Sequence, residues 1–205
     1  MRRFVVIGRI ATASPDFLLI DVAGTSGRLD VLLRCIRAAL LVSHGLRHDT
    51  AVYLVLLGGP RAPRTIRIEG SIVRFVRPDE RSLAVLAQKA LAADLQGEGF
   101  VQVRRGLSVA EGGLDAVLAD IAANAGGARP ALHVLDERAR DARTVDIDAR
   151  DPVFFVGDHL GIDDETRARL DALGATAISV GPVSVHAEDA ITLITNELDR
   201  RAAPR

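Results

Sequence analysis

Two apolar runs late in the chain, each ending in a loop rich in glycine or proline, constrain the fold more than any other feature. The first is VFFVGDHLGI at residues 153–162, and the second is ISVGPVSVHA at residues 178–187. A charged helical segment separates them, and another helix follows the second. In open α/β sheets, ligands bind at the carboxyl ends of the strands, where backbone groups point outward. The two loops therefore predict a cofactor pocket built mostly from main chain and small side chains.

The composition supports a folded core made of aliphatic side chains. Of the 205 residues, 48% are hydrophobic but only 3% are aromatic, and the net charge is -1. Such a small charge argues neither for nor against a polyanionic partner. Cys35 is the only cysteine, which excludes an internal disulfide and a cysteine-based zinc cluster. Because we find no signal peptide and no apolar run near the ~20 residues that span a bilayer, we expect a cytoplasmic protein without membrane contact.

The order of apolar runs and amphipathic segments predicts an α/β fold with a largely parallel sheet. No linker marks a boundary, so we expect one domain over residues 1–205. Ser108 and Glu111 have the spacing of a capping box, which predicts a helix start there. The predicted helices cover about residues 29–40, 78–95, 108–121, 163–173 and 188–200. Besides the two late runs, the predicted strands lie at residues 4–7, 17–20, 51–57, 65–69, 72–76, 100–105 and 132–135.

The two loops are the best candidates for a ligand site. In the first, glycine lets a ligand approach the backbone, and Asp158 or His159 could contact it; alternatively, Asp158 only caps an amide in a tight turn. In the second, Ser179 and Gly181 interrupt an apolar run and could offer backbone groups to an adenine edge; alternatively, this is a buried loop stiffened by proline.

Common catalytic signatures are missing from the sequence. We find no GxGxxG after a strand, no Walker A motif, no HExxH and no GxSxG elbow, which disfavours dinucleotide, nucleotidase and hydrolase functions. Asp158, His159 and His186 could converge on a metal ion, but their spacing matches no strong metal pattern, and we expect no metal.

Two basic clusters are candidates for RNA contact. One is a run of arginines around a predicted hairpin, which could follow a phosphate backbone but could equally be a solvated face. Phe75 is the one aromatic residue near it, and we expect this side chain to lie in the core. The other cluster combines Arg28, Asp30 and Arg34 at the start of a helix, where they could grip an anion and supply a base, or simply form surface ion pairs. The first cluster contains Arg61, Arg64, Arg67, Arg74, Arg77 and Arg81.

Five segments of the chain form a recognisable series: GRLDVLLRC at 27–35, VSHG at 42–45, RPDERS at 77–82, VFFVGDHLGI at 153–162 and ISVGPVSVHA at 178–187. In order and spacing they resemble the TrmY family of SPOUT-class methyltransferases, which methylate N1 of pseudouridine in the T-loop of tRNA. The resemblance covers essentially the whole chain. It implies an α/β sheet flanked by helices, with a deep trefoil knot over about residues 130–200 that binds S-adenosyl-L-methionine (SAM). It also implies a homodimer and a tRNA substrate.

The resemblance also implies the cofactor-binding residues. They would lie at the ends of three strands and at the start of the last helix. One departure concerns that helix, because archaeal members resemble HANHCI where this chain has HAEDAI at residues 186–191. The usual cysteine is thus alanine, and two acids replace polar or basic neighbours. The implied residues are Leu135, Gly157, Ile178, Ser179, Val180, Gly181, Pro182, Val183 and Ala190.

N1 of pseudouridine is weakly acidic, so the transfer requires loss of its proton or stabilisation of the developing anion. Asp30 or Asp158 could accept the proton, and Arg28 or Arg34 could stabilise the negative charge. Two alternatives stay open: methylation of another nucleoside in tRNA or rRNA, and a non-catalytic SAM-binding or RNA-binding protein. We expect the RNA to be contacted by Arg34, Arg64, Arg67 and Arg81.

Overall fold

A computed structural model describes residues 1–95, 97–124, 129–148 and 150–203, over which strands and helices alternate. The strands are β1 (Arg2–Thr12), β2 (Leu41–Val42), β3 (Gly45–Leu46), β4 (Thr50–Gly58), β5 (Arg64–Glu69), β6 (Val101–Arg104), β7 (Leu107–Glu111), β8 (Ala131–Asp141), β9 (Pro152–Gly157) and β10 (Thr176–Ser179). The helices are α1 (Val22–Thr25), α2 (Leu29–Leu40), α3 (Glu80–Leu91), α4 (Leu114–Asn124), α5 (Asp164–Ala172) and α6 (Ala187–Ala202).

The sheet has a parallel side and an antiparallel side. Its strand order is β10-β8-β9-β1-β4-β5-β7-β6, with β2 and β3 forming a separate small hairpin. The first five strands in this order are parallel, and the pairings of β5, β7 and β6 are antiparallel. The predicted α/β fold with a mostly parallel sheet is confirmed. All the strands that end beside the two late loops belong to the parallel side.

Strand β1 shows why the central strands have continuous apolar sequences. Phe4 and Val6 belong to the core on one face of the sheet, together with residues of α2, α3 and α6. Val5 and Ile7 belong to the core on the other face, together with residues of α4 and α5. Because side chains alternate between faces, a strand covered on both sides must be apolar at every position.

The antiparallel side contains the main errors of the sequence-based prediction. The helix predicted to start at Ser108 is strand β7, whose residues Leu107 and Val109 are buried beside β5. The capping-box spacing is therefore overridden by tertiary pairing, and α4 begins only at Leu114. Residues 72–76 do not form the predicted hairpin strand, because β7 takes the place beside β5.

Residues 17–20 also form a turn instead of the predicted strand. The amide of Leu18 donates to Oγ1 of Thr25 (2.9 Å), and the carboxylate of Asp21 caps α1 by accepting from the amide of Gly24 (2.9 Å). These local side-chain bonds compete with strand pairing. Among the described residues, no helix is long and apolar enough to cross a membrane.

Candidate active site

A cavity of about 930 Å³ opens where the parallel strands β8, β9 and β10 end. Its walls come from these strand ends, from the loops that follow β9 and β10, and from the first turns of α2 and α6. Eight of the nine predicted cofactor residues line it, and Pro182 is not among the lining residues. These eight residues therefore lie together at the sheet edge where α/β proteins bind ligands.

The loop after β9 is a tight turn that requires glycine at its first position. A Cβ atom on Gly157 would lie 2.5 Å from the carbonyl carbon of Gly161 and 2.7 Å from the amide nitrogen of Ile162. The carboxylate of Asp158 closes the turn by accepting from the amides of Arg9 (2.9 Å) and Leu160 (2.8 Å). Both carboxylate oxygens are therefore engaged. This geometry favours the capping role for Asp158 over the predicted role of proton acceptor.

The cavity wall contains main chain that no side chain covers. Gly161 (φ +71°) and Gly181 (φ +148°) both line the cavity, and a Cβ atom on either would meet no atom within 4 Å. A side chain there would therefore project into open space. Leu135, Val180 and Val183 add apolar surface beside these glycines. Exposed backbone next to aliphatic side chains suits the adenosine part of a ligand such as SAM.

Arg28, the N-cap residue of α2, has an unusual backbone conformation. Arg28 has φ 65° and follows Gly27 with φ 61°, where a Cβ atom would lie 1.9 Å from the carbonyl oxygen of Ile10. Ser26 lies two residues before the N-cap, and its hydroxyl oxygen accepts from the amide of Leu29 (3.1 Å). A non-glycine residue with positive φ is a strained position of the kind found at functional sites.

Asp30 lies behind two arginines that face the cavity. Its Oδ1 accepts from Nε of Arg28 (2.9 Å), and its Oδ2 accepts from Nη2 of Arg28 (3.2 Å) and Nη1 of Arg34 (2.9 Å). Arg28 and Arg34 line the cavity, but Asp30 is not among the lining residues. Asp30 is therefore placed to position the guanidinium groups, and each of its oxygens already accepts at least one hydrogen bond from an arginine.

The charges in this cluster stabilise one another. Burial alone would raise the pKa of Asp30, but the hydrogen bonds from Arg28 and Arg34 outweigh it, and the net pKa shift is downward. The hydrogen bond to Asp30 raises the pKa of Arg28. The pKa of Arg34 is also raised, because its bonds to Glu188 and Asp30 outweigh the effect of burial. Asp30, Arg28 and Arg34 therefore stay ionised at neutral pH.

Glu188 is a cavity residue to which the sequence analysis gave no role. It lies in the first turn of α6, and its Oε1 accepts from Nε of Arg34 (2.7 Å). Its Oε2 is buried and has no hydrogen-bond partner within the described structure. The pair joins residues 154 positions apart, so no local pattern could have indicated it. Glu188 lines the cavity, so its carboxylate places negative charge beside any ligand bound there.

An irregularity in β8 brings further charges to the rim of the cavity. Strand β10 pairs with β8 at His133 and Val134 and then again at Arg140 and Asp141, so the residues between them bulge out. Asp136 in this bulge accepts from Nη1 of Arg167 (2.7 Å), and both residues line the cavity. Within the described ranges, no group of three or more His, Cys, Asp or Glu residues could hold a metal ion.

The four predicted RNA contacts are not brought together. Arg34 lines the cavity, whereas Arg81 lines a separate groove. Arg64 is buried and donates to the carbonyl oxygen of Leu91 (2.9 Å). Arg67 forms ion pairs with Asp120 and Glu69 and packs over the ring of Phe100. Because intramolecular contacts occupy Arg64 and Arg67, these two residues are corrected to structural roles.

Comparisons with known proteins agree with this geometry. A family model described as "Putative SAM-dependent RNA methyltransferase" matches residues 1–203. A protein of Methanosarcina acetivorans named tRNA (pseudouridine(54)-N(1))-methyltransferase is 43% identical over 205 residues, which are 100% of this chain and 94% of the relative. A protein of Methanocaldococcus jannaschii with the same name is 34% identical over 206 residues, covering 98% of each chain.

The fold also matches a solved structure. The crystal structure of Archaeoglobus fulgidus Nep1 bound to S-adenosylhomocysteine superposes with a TM-score of 0.62 and covers 98% of this chain and 99% of its own. The sequence identity is 15%, so this likeness concerns the fold alone.

Proposed function

The chain belongs to the SAM-dependent RNA methyltransferase family, and on that premise we propose that it transfers the methyl group of SAM to N1 of pseudouridine 54 in tRNA. Full-length relatives that carry this activity in their names support the proposal. The observation that carries it is the cavity at the ends of β8, β9 and β10, which combines bare main chain with two arginines.

The cavity residues fit SAM, whose sulfonium supplies an electrophilic methyl group. We assign the adenosine part to the backbone around Gly157 and Gly181 and to the apolar wall that includes Val180. Glu188 lines the cavity and its carboxylate accepts from Arg34, so its negative charge can attract the sulfonium. Contacts through main chain do not depend on the cysteine that Ala190 replaces.

Arg28 is the group best suited to stabilise the reacting base. Its side chain is 43% exposed, lines the cavity and stays positively charged. When the N1 proton passes to water, the negative charge left on the ring and its carbonyl oxygens would be held by the guanidinium. Transfer of the methyl group from SAM to N1 then removes that charge. Asp30 keeps that guanidinium in place, and Asp158 keeps the loop closed beside it.

We propose that residues from about 130 to 200 form the knotted, cofactor-binding part of one domain. Strand β9 lies on one side of β8, and the chain then crosses back to place β10 on the other side. Such a crossing is required for the trefoil knot that the family resemblance implies.

We further propose a homodimer that acts in the cytoplasm, where a tRNA substrate is available. Large apolar side chains beside the cavity and on α6 support the dimer, because Leu160, Val183, Val185 and Leu193 are all exposed. Sedimentation equilibrium of the purified chain should give twice the mass of one chain, and a monomer at micromolar concentration would contradict this part of the proposal.

Methyl transfer to a defined tRNA tests the function. Two transcripts that differ only in uridine or pseudouridine at position 54 are incubated with SAM, and their nucleosides are analysed by mass spectrometry. We expect N1-methylpseudouridine from the second transcript and no product from the first. Arg28→Gln should lower kcat by about 10²–10³, as the loss of one anion-stabilising donor does in other enzymes, and leave SAM affinity in calorimetry unchanged.

The same experiment separates the alternatives. A methylated product on another nucleoside of cellular tRNA or rRNA would favour a different RNA substrate. SAM binding without transfer to any RNA would favour a non-catalytic protein, to which the change to Ala190 and the acids beside it would then be relevant.

A further inference from the structure

Phe75 has an exposure that no contact within the described protein accounts for. It was predicted to lie in the core, but the residue is 88% exposed, and its backbone adopts φ 60°. A positive φ is unfavourable for a bulky residue, and an exposed aromatic ring forgoes burial. The unfavourable backbone conformation and the exposed ring both occur at Phe75, and no contact with a described neighbour offsets either of them.

The ring lies at a basic groove of about 360 Å³ that is separate from the main cavity. Arg77, Arg81, Lys89 and Arg104 line it, and no lining residue in the described part of the chain is acidic. None of the four forms an ion pair within 4 Å over the described ranges. The nearby carboxylate of Asp79 is used as the cap of α3, where it accepts from the amide of Ser82 (2.8 Å).

The groove adjoins the candidate active site through the start of α3. Glu80, the first residue of α3, lies 3.9 Å from the guanidinium of Arg34, which lines the cavity. The next residue along the chain, Arg81, lines the groove. An RNA strand with one base in the cavity can therefore continue across the N-terminus of α3 to Phe75.

We infer that this groove binds a second, unpaired nucleotide of the RNA substrate, with its base stacked on Phe75 and adjacent phosphates on Arg77 and Arg81. Exposed aromatic rings flanked by cations are the usual means of holding unstacked bases. The positive φ points the ring into solvent before RNA arrives. The inference rests on the proposed function only for the identity of the RNA.

Binding of a pseudouridine-containing tRNA transcript to the full chain tests the inference by fluorescence anisotropy at fixed salt. Phe75→Ala should weaken binding by about 5- to 150-fold, the range found when a base loses an aromatic stacking partner. Phe75→Tyr keeps the ring and should bind as the wild type does, whereas Phe75→Leu keeps apolarity alone and should resemble the alanine variant. SAM affinity should not change in any of them.

Phe75→Gly guards against a folding artefact, because glycine adopts φ 60° without strain. This variant should be at least as stable as the wild type and still bind RNA weakly. The double variant Arg77→Gln/Arg81→Gln should reduce the slope of log K against log salt by about 1.4–1.8, for two lost phosphate contacts. The control Arg150→Gln removes a charge whose side chain is 91% exposed, near the amino end of β1, and should not alter the slope.

The outcomes are distinct. RNA affinity of Phe75→Ala within twofold of the wild type, or Phe75→Leu binding as tightly as Phe75→Tyr, would overturn the inference. Dissociation of a dimer by Phe75→Ala would overturn it in favour of a protein interface. If the wild type transfers no methyl group but the variants still lose RNA affinity as described, the proposed function fails and the nucleotide groove stands.

Discussion

Replacing Asp30 with asparagine removes the negative charge that two cavity arginines share. In the wild type, the carboxylate accepts three hydrogen bonds of 2.9, 3.2 and 2.9 Å from Arg28 and Arg34. An asparagine side chain offers one acceptor oxygen and turns an amide group towards one of the guanidinium groups. The variant therefore loses at least one charged hydrogen bond and leaves two positive charges close together.

The expected loss of stability follows from these contacts. Hydrogen bonds to charged groups contribute roughly 1.5–3 kcal/mol each. The side chains of Arg28 and Arg34 are 43% and 36% exposed, so water screens part of the interaction. We expect Asp30→Asn to reduce the free energy of unfolding by about 2 kcal/mol, which for a chain of this size lowers Tm by about 4–8 °C.

Urea denaturation at pH 7 measures this loss, with Asp115→Asn as the control. Asp115 also pairs with an arginine, Arg169, but its side chain is 78% exposed, and the change should cost less than about 0.5 kcal/mol. A double-mutant cycle of Asp30→Asn with Arg34→Gln should give a coupling energy of about 0.5–3 kcal/mol. Equal losses of unfolding free energy for Asp30→Asn and Asp115→Asn, or a cycle without coupling energy, would refute the proposal that Asp30 holds the two arginines in position.

The pH dependence has a definite sign. The folded-state pKa of Asp30 is lowered, so its contribution is fully present above its unfolded pKa of about 3.9 and is lost as pH falls through the lower folded value. The stability difference between wild type and Asp30→Asn should therefore stay constant between pH 5 and 8.

For catalysis, raising the pH should partly restore kcat in Asp30→Asn if the aspartate only positions Arg28, because the N1 anion then forms more easily. A turnover that stays near zero at every pH would instead identify Asp30 as the base.

Three further predictions concern other buried features. Gly157→Ala places a Cβ 2.5 Å from the backbone of Gly161 and should weaken SAM binding in calorimetry about tenfold or more, whereas Gly45→Ala, with no atom within 4 Å of the added carbon, should not. Burial lowers the pKa of His133, and both ring nitrogens lack partners in the described structure. As pH falls, this histidine is therefore protonated in the unfolded state before it is protonated in the folded state. In urea denaturation, the free energy of unfolding of the wild type should fall by about 1 kcal/mol between pH 8 and 5.5, whereas that of His133→Phe should not show this fall. Burial raises the pKa of the Cys35 thiol, so it should react with thiol reagents only after unfolding in guanidinium; rapid reaction of the native protein would contradict this.

The centre of the parallel side could be predicted because strands such as β4 and β9 are apolar at nearly every position and end at glycine. The run at residues 153–156 before Gly157 is an example, since burial on both faces leaves a pattern that one sequence displays. The antiparallel side could not be predicted in the same way. Ser108 and Glu111 fit a helix start locally, but they form a strand because β5 lies beside them and pairs with them. A local pattern carries no information about a neighbour that is distant along the chain.

The candidate site likewise contains residues that a local pattern indicates and residues whose positions depend on distant parts of the chain. Residues that act through their own loop, such as Gly157 and Gly181, were predictable because glycine at the end of a buried strand indicates a tight turn or a close approach of the backbone. The exposure of Phe75 was not, because an aromatic residue close to Val73 and Val76 suggests a core position. Its exposure depends on where β6 and α3 run, and those positions are set by contacts distant in sequence.

Arg28 and Arg34 show why composition alone cannot assign roles within the site. Both are arginines near the start of one helix, and both reach the cavity. Arg34 lies within 4 Å of three carboxylates, those of Asp30, Glu188 and Glu80, so its charge is largely neutralised. Arg28 is paired with Asp30 alone among the described residues and is the more exposed of the two. In the proposed function, the positive charge that stabilises a developing anion would therefore come mainly from Arg28, because Glu188 on α6 pairs with Arg34 and not with Arg28.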